Sequence, residues 1–102
     1  MMRTVLVRYR VKPEHAERNR ELVRAVYDEL DRTQPSAMQY ATFQLADGVS
    51  FVHIHSSDGE GSNVLPQLAA FQAFQEGVKE RCDEGPVVTE LEEVGSYRFL
   101  HG

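Results

Sequence analysis

The sequence predicts an α+β fold in which strands and helices follow the order β-α-β-β-α-β. Three observations support this fold class. Four short segments alternate apolar and polar residues, as strands do, and two longer segments repeat apolar residues every three or four positions, as helices do. Between the two middle strands, Asp47-Gly48 predicts a tight hairpin, because glycine adopts the positive φ of a type I′ turn at little cost.

Length and composition indicate one domain over residues 1–102. A chain of 102 residues with 41% hydrophobic and 26% charged residues can bury one core and does not have the composition of a disordered protein. The apolar runs are far shorter than the roughly 20 residues that span a bilayer. The net charge of −5 disfavours a nucleic-acid partner, since such proteins usually present a basic surface. We therefore expect neither a membrane nor a nucleic acid as partner.

The cysteine content and the N-terminus predict a cytoplasmic location. Cys82 is the only cysteine, so no intrachain disulfide can form. Arg3 and Arg8 come too early to leave room for the apolar core of a signal peptide. Cys82 falls near the predicted end of the second helix with no evident general base beside it, which favours a structural role.

The first strand is expected over 4–11 and the first helix over 13–33. Alternation places Val5, Val7, Tyr9 and Val11 on one face of the strand. Pro13 suits the first turn of the helix, where its missing N–H would have no partner. Gln34-Pro35-Ser36 ends the helix, whose apolar stripe comprises Ala16, Leu22, Val23, Val26, Tyr27 and Leu30.

The second and third strands are expected over 38–45 and 49–55. Alternation places Met38, Tyr40 and Thr42 on one face of the second strand and Ala41, Phe43 and Leu45 on the other. In the third strand, one face carries Val49, Phe51, His53 and His55.

The second helix is expected from Leu65 or Pro66 to Cys82, followed by the fourth strand over 87–94. Its apolar stripe includes Leu68, Phe71, Phe74 and Val78. Asp83-Glu84-Gly85-Pro86 is expected to end this helix, and a continuation of the strand past Gly95 is expected over 96–100.

This element order gives a ferredoxin-like arrangement, whose usual strand order is 4-1-3-2 with both helices on one face. The strands are nevertheless apolar on both faces: Val52 and Ile54 lie opposite Val49 and Phe51. An antiparallel sheet with one solvated face alternates more cleanly. We therefore expect a homodimer in which a second copy covers the helix-free face. The alternative is a monomer with a mildly apolar open face.

The layout resembles the dimeric α+β barrel superfamily, and within it the antibiotic biosynthesis monooxygenase-like proteins. The resemblance covers nearly the whole chain and is carried by 5–14, Tyr40-Ala41-Thr42-Phe43, the Asp47-Gly48 turn, Phe51-Val52-His53-Ile54-His55, the helix segment 68–75 and the closing strand 87–91. It implies a dimeric barrel and an oxidoreductase of the cofactor-independent monooxygenase type. Such an enzyme would act on an aromatic or polyketide-like molecule without a bound metal or flavin.

The chain also departs from the pattern of these proteins. Members often carry a Glu-x-Trp pair after the third strand, whereas this chain reads His53-Ile54-His55-Ser56-Ser57 and has no tryptophan. An alternative expectation is therefore a non-catalytic, dimeric small-molecule-binding or stress-associated module.

His53 and His55 form the most distinctive pair of polar residues. Being two positions apart on a strand, their rings share one face and are separated by roughly 6.5–7 Å along the chain. The pair could bind a metal with a third ligand, exchange protons with an organic substrate, or form hydrogen bonds at a sheet interface. The last interpretation is the simplest, and no metal site is predicted because no third ligand is evident in the sequence.

An apolar cavity for an aromatic ligand would need proton-handling groups and aromatic walls. We expect His53, His55, Tyr40 and Tyr9 to handle protons, because tyrosine and histidine are the groups available on the relevant faces. Asn63 could orient the ligand, and the apolar walls could come from Phe43, Phe51, Phe71 and Phe74. Ordinary core packing is the alternative interpretation of these aromatic residues.

Overall fold

The chain folds into a four-stranded antiparallel sheet with helices on one face. The structure is a computed structural model and describes residues 2–36, 38–58 and 64–98. Short 3₁₀ turns precede the first two helices, at Pro13–His15 and Leu65–Gln67. The elements are β1 (Met2–Val11), α1 (Ala16–Thr33), β2 (Met38–Gln44), β3 (Ser50–Asp58), α2 (Ala69–Gln75), α3 (Val78–Arg81) and β4 (Cys82–Leu91).

The sheet has the order β2-β3-β1-β4, with β3 and β1 in the centre. This is the predicted order, and the ferredoxin-like α+β fold is confirmed. The register pairs Val7 with His53 across β1 and β3, and Tyr40 with His55 across β2 and β3. Because paired residues share a face, the expected faces of the first three strands are also confirmed.

The core lies between the sheet and the helices. Val23 and Val26 of α1 and Phe74 of α2 pack onto the central strands, where Tyr9, Val11 and Phe51 are almost fully buried. Alternation placed Tyr9 and Val11 on one face of β1, and Phe51 on the face of β3 that carries the two histidines. The structure shows that both of these faces pack against the helices, so His53 and His55 do not lie at a sheet interface, as the simplest interpretation expected.

The prediction of one continuous second helix was wrong. Glu76 is extended and Gly77 has a left-handed φ of 82°, so α2 ends at Gln75 and α3 is a separate turn. Arg81 stabilises this break, because its guanidinium donates to the carbonyl oxygens of Phe74 at 2.7 Å and Glu76 at 3.2 Å. Carbonyl groups at a helix C-terminus lack intrahelical partners and favour a cation.

The fourth strand begins earlier than predicted. Cys82 is the first residue of β4 rather than the last of a helix, and Glu84 forms a 2.9 Å ion pair with Arg10. Gly85 and Pro86 both lie opposite Tyr9, since Arg8 pairs with Val87 and Arg10 with Glu84. A bulge of this kind accommodates a proline that cannot donate to the ladder. Residues 92–98 form no strand, and the rest of the expected continuation lies outside the described residues.

The helix-free face of the sheet is apolar and largely open. Leu6, Val52 and Ile54 are half-buried on the central strands, while Phe43 and Val87 are exposed on the edge strands. The exposed fraction of Val87 is 63%. This distribution is the one on which the expectation of a second copy was based.

We predict that Gly77→Ala lowers the free energy of unfolding by roughly 1–2 kcal/mol, the usual cost of a left-handed conformation in an L-residue. The added methyl would also lie 3.3 Å from an oxygen of Glu80. Gly85→Ala is the matched control, since its backbone is not left-handed and nothing lies within 4 Å of the added methyl. Urea denaturation measures both variants, and equal stabilities would contradict this assignment of the break.

Candidate functional site

A cavity of about 260 Å³ opens between the sheet and α2. Its walls are mainly apolar, with Val5 and Val7 from β1, Phe71 and Phe74 from α2, and Val88 from the exposed strand β4. The polar side chains that line it are Tyr9, Tyr40, His53, His55 and Gln75. All but Gln75 come from the helix-facing side of three adjacent strands.

His53 is the centre of a buried hydrogen-bond network. Its Nε2 atom lies 2.8 Å from the Tyr9 hydroxyl. Its Nδ1 atom lies 2.6 Å from the Tyr40 hydroxyl and 3.1 Å from the Thr42 hydroxyl. Both ring nitrogens therefore have partners, and the ring is held between β1 and β2.

The network extends from His53 into the helices. The Asn19 amide nitrogen donates to the Tyr9 hydroxyl at 2.9 Å, and Arg81 Nε donates to the Asn19 carbonyl oxygen at 3.3 Å. On the other side, the hydroxyl of Tyr27 lies 2.7 Å from that of Thr42. Side chains from α1, α3 and three strands thus meet around one imidazole.

The groups around His53 are uncharged at neutral pH. Burial lowers the pKa of His53 to about 4, because an imidazolium would lose its hydration. Burial likewise raises the pKa of Tyr9, an effect that the hydrogen bond from Asn19 partly offsets. Burial raises the pKa of Tyr40 as well, and that of Tyr27 to about 12.

His55 differs from His53 in having an unused nitrogen. It lines the same cavity and is only 9% exposed, yet its buried Nε2 has no hydrogen-bond partner among the described residues. Burial, followed by the charge of Arg3, lowers the pKa of its imidazole. An uncharged imidazole with a free nitrogen can accept a proton from a ligand or donate a hydrogen bond to it.

The structure brings together six of the nine residues named from the sequence. Tyr9, Tyr40, His53 and His55 line the cavity, as do Phe71 and Phe74. Phe51 instead lies behind the cavity, 2% exposed and stacked on Tyr9 with a centroid distance of 5.6 Å. Asn63 lies outside the described residues.

Phe43 does not line the cavity, contrary to expectation. Its partner across β2 and β3 is Val52, on the helix-free face, whereas Thr42 beside it pairs with His53. Side chains of adjacent strand residues point to opposite faces. Alternation had already placed Phe43 opposite Tyr40, and the structure confirms those faces, so the assignment of Phe43 to the cavity wall disagreed with its own strand pattern.

Sequence reasoning missed Asn19, Thr42 and Arg81 as members of the site. Asn19 is 0% exposed and lies three residues after Ala16 and four before Val23, within the apolar stripe of α1. A polar residue in such a stripe requires a buried partner, and this signal was available. Arg81 gave no comparable signal, since its burial depends on the break at Gly77.

The described residues contain no group of three His, Cys, Asp or Glu side chains placed to hold a metal ion.

Cys82 is half-buried at the start of β4, and burial raises the pKa of its thiol. None of the described helices is long and apolar enough to cross a membrane.

We predict that lowering the pH from 7 to 4 reduces the free energy of unfolding more in the native chain than in the His53→Gln variant. The expected difference between the two reductions is about 3 kcal/mol. The unfolded chain has the ordinary histidine pKa of 6.5, so it binds more protons than the folded chain between pH 6.5 and about 4. Urea denaturation of both proteins across this range isolates the histidine from the carboxylates that they share. Parallel stability curves would show that His53 is not held uncharged.

No family model and no curated protein matches the chain. Several solved structures, however, are similar to it in fold. A Nitrosomonas europaea protein, provisionally described as an antibiotic biosynthesis monooxygenase, is 18% identical with a TM-score of 0.74, covering 99% of this chain and 94% of its own. A Mycobacterium tuberculosis protein is 17% identical with a TM-score of 0.74, covering 94% and 98%. A structure named antibiotic biosynthesis monooxygenase is 17% identical with a TM-score of 0.72, covering 93% and 100%. The chain thus shares its fold with these proteins over nearly their whole length.

Proposed function

We propose that this chain is a cofactor-independent, monooxygenase-like enzyme that oxidises a small aromatic or polyketide-like molecule. The observation that carries the proposal is the Nε2 of His55, which is buried in an apolar cavity beside Tyr40 and has no hydrogen-bond partner in residues 2–36, 38–58 and 64–98. A buried polar atom without a partner is costly, so each one in a native structure calls for an explanation, and a catalytic role is one such explanation. The fold shared with monooxygenase-named structures supports the same conclusion.

The proposed reaction uses molecular oxygen as oxidant and the substrate as reductant. His55 Nε2 takes a proton from an acidic C–H group next to an aromatic ketone, leaving an electron-rich carbanion. The anion transfers an electron to oxygen, and the resulting pair forms a C–O bond and a peroxide that takes the proton back from His55. Loss of the second C–H proton with cleavage of the O–O bond gives a carbonyl and water, so that R₂CH₂ and O₂ become R₂C=O and H₂O.

Tyr40 has the complementary role of stabilising the oxygen of the substrate. Its hydroxyl is fixed 2.6 Å from His53 and stacked on Tyr27 with a centroid distance of 5.3 Å, so it lines the cavity in a defined position. A preorganised donor at an enolate oxygen stabilises the charge that develops there. Tyr9 and His53 position this hydroxyl, because Tyr9 holds the Nε2 side of the His53 ring and the Nδ1 side contacts Tyr40.

The size of the cavity limits the substrate. About 260 Å³ lies below the roughly 300–1,000 Å³ usual for drug-sized ligands. We therefore propose a substrate of one or two fused rings within a single copy of the chain. Larger aromatic compounds would extend past Val88, where β4 is exposed.

A non-catalytic binding module is the second candidate function. Its support is that the hydrogen bonds around His53 are already satisfied internally, whereas the buried Nε2 of His55 has no partner among the residues that the structure describes. A site of this kind can retain an apolar ligand through a single hydrogen bond. Oxygen consumption distinguishes the two functions, because binding alone consumes none.

We predict that the chain accelerates oxygen uptake with two-ring aromatic ketones that carry an acidic C–H group next to the ketone, such as 1-indanone. His55→Gln is expected to reduce the rate by at least about 100-fold, as for the loss of a general base. Tyr40→Phe is expected to reduce it by about 100-fold through loss of the oxyanion donor. An oxygen electrode measures both against heat-denatured protein.

The matched controls for these variants are His15→Gln and Tyr97→Phe. Tyr97 is 82% exposed, and neither residue lines the cavity. Both controls should retain the rate of the native chain. If the His55→Gln variant also retains the native rate, the proposed base is wrong. If the native chain binds these compounds tightly but takes up no oxygen, the chain is a binding module.

We also propose that two copies of the chain pair through the helix-free face. Support comes from the apolar side chains on that face, including the exposed Phe43 and Val87. Stable protein pairs typically bury about 800 Å² on each partner, and a four-stranded sheet face can supply such an area.

We predict that the native chain sediments as a dimer at micromolar concentration and that Val87→Lys sediments as a monomer. A lysine at this position would place an unpaired charge in the contact. Val94→Lys, at a fully exposed position outside the strands, is the control and should remain dimeric. A monomeric native chain would overturn the pairing.

A further inference from the structure

We propose that the buried hydrogen-bond chain Arg81–Asn19–Tyr9–His53–Tyr40 runs in one direction, so that the Tyr40 hydrogen is available to a ligand and the cavity selects ligands that present a carbonyl oxygen. In this arrangement Asn19 and Arg81 are positioning residues that act on the ligand through Tyr9 and His53. The inference rests on the proposed function only in taking the cavity as the ligand site.

The direction is set at Arg81, which can only donate. Its Nε lies 3.3 Å from Asn19 and its Nη2 lies 2.7 Å from the Phe74 carbonyl oxygen. A guanidinium has no acceptor, so the carbonyl oxygen of the Asn19 side chain must face Arg81. The amide nitrogen of Asn19 therefore faces Tyr9 and donates to its hydroxyl at 2.9 Å.

The same reasoning continues through Tyr9. This residue is 3% exposed, and its hydroxyl has two neighbours, Asn19 and His53. Because Asn19 donates, the Tyr9 hydrogen is satisfied only if it is donated to His53 Nε2. Buried donors are nearly always paired, so Nε2 carries no hydrogen of its own.

An uncharged His53 then carries its hydrogen on Nδ1. That hydrogen is directed at the Tyr40 oxygen, 2.6 Å away, with the Thr42 hydroxyl at 3.1 Å. Tyr40 is thereby the acceptor from His53, and its own hydrogen is released. It can donate to the neighbouring Thr42 hydroxyl or to an oxygen of a ligand in the cavity that Tyr40 lines.

If the chain ran the other way, Tyr40 would donate to His53 and present only an acceptor to the cavity. The two directions therefore predict opposite ligand preferences. With the direction set by Arg81, a ketone oxygen finds a donor at Tyr40. A hydrocarbon of the same shape gains nothing from that donor.

The first test is the position of the His53 proton, read from the nitrogen-15 chemical shifts of its ring. The native chain is expected to carry the proton on Nδ1 and none on Nε2. Asn19→Asp, which has nearly the same shape, can only accept from Tyr9, so Tyr9 then accepts from His53 and a proton moves to Nε2. A merely structural role for Asn19 would not move this proton.

The control variant is Gln39→Glu, which makes the same chemical change at an exposed position of β2. It should leave the ring nitrogen shifts unchanged. A proton on Nε2 in the native chain overturns the proposal, and so does an Asn19→Asp variant whose Nε2 stays unprotonated. Because the native measurement needs no variant, the proposal stays falsifiable if Asn19→Asp fails to fold.

The second test compares 1-tetralone with tetralin, which differ by one carbonyl group. The native chain is expected to bind the ketone about fivefold to tenfold more tightly, the usual effect of one hydrogen bond. The Tyr40→Phe variant should lose the preference for the ketone and keep the native affinity for tetralin. Titration by ligand-detected NMR measures the affinities for the two probes. Equal affinities, or no detectable binding of the ketone, contradict the ligand selection.

The titration is carried out without oxygen, so neither probe can undergo the proposed oxidation in this test. A failure of oxygen uptake would therefore leave the proton position and the ketone preference intact. Conversely, a native chain with its proton on Nε2 would overturn the direction of the hydrogen bonds and the donor role of Tyr40, and would leave proton transfer by His55 and the uptake of oxygen untouched.

Discussion

The structure depends on keeping one imidazole uncharged inside the protein. His53 lies on a central strand at 5% exposure, where a charge would be poorly solvated, and hydroxyl groups from both neighbouring strands satisfy its two nitrogens. Asn19 and Arg81 connect the same network to α1 and α3. The sheet and helices are thus joined by directional contacts as well as apolar packing, and the cavity walls keep a defined geometry.

Two histidines on one strand face have different chemistry because their surroundings differ. His53 has a partner for each nitrogen, which suits a positioning role, whereas the Nε2 of His55 has none in the part of the chain that the structure describes. The first holds the Tyr40 hydroxyl at 2.6 Å, and the second is the base in the function that we propose. Apolar walls from Phe71 and Phe74 keep both groups away from bulk water.

Local pattern was enough to predict the fold and to group the site residues on one face, but not to show that this face packs against the helices. Alternation in β1 and β3 placed Tyr9, His53 and His55 on one side, because strand periodicity is a local property. The break at Gly77 and the early start of β4 depend on contacts that Arg81 and Glu84 make with distant residues. The different environments of the two histidines also arise from tertiary contacts, so spacing alone could not distinguish their roles.

A neutron crystal structure at neutral pH in heavy water would show whether His53 is uncharged, because it locates the deuterium atoms on the imidazole ring. We expect one deuterium on the ring, which is then uncharged, with a hydrogen bond from each nitrogen to a tyrosine hydroxyl. Deuterium on both nitrogens would reveal a buried imidazolium, and His53 would then not be the uncharged centre of the site.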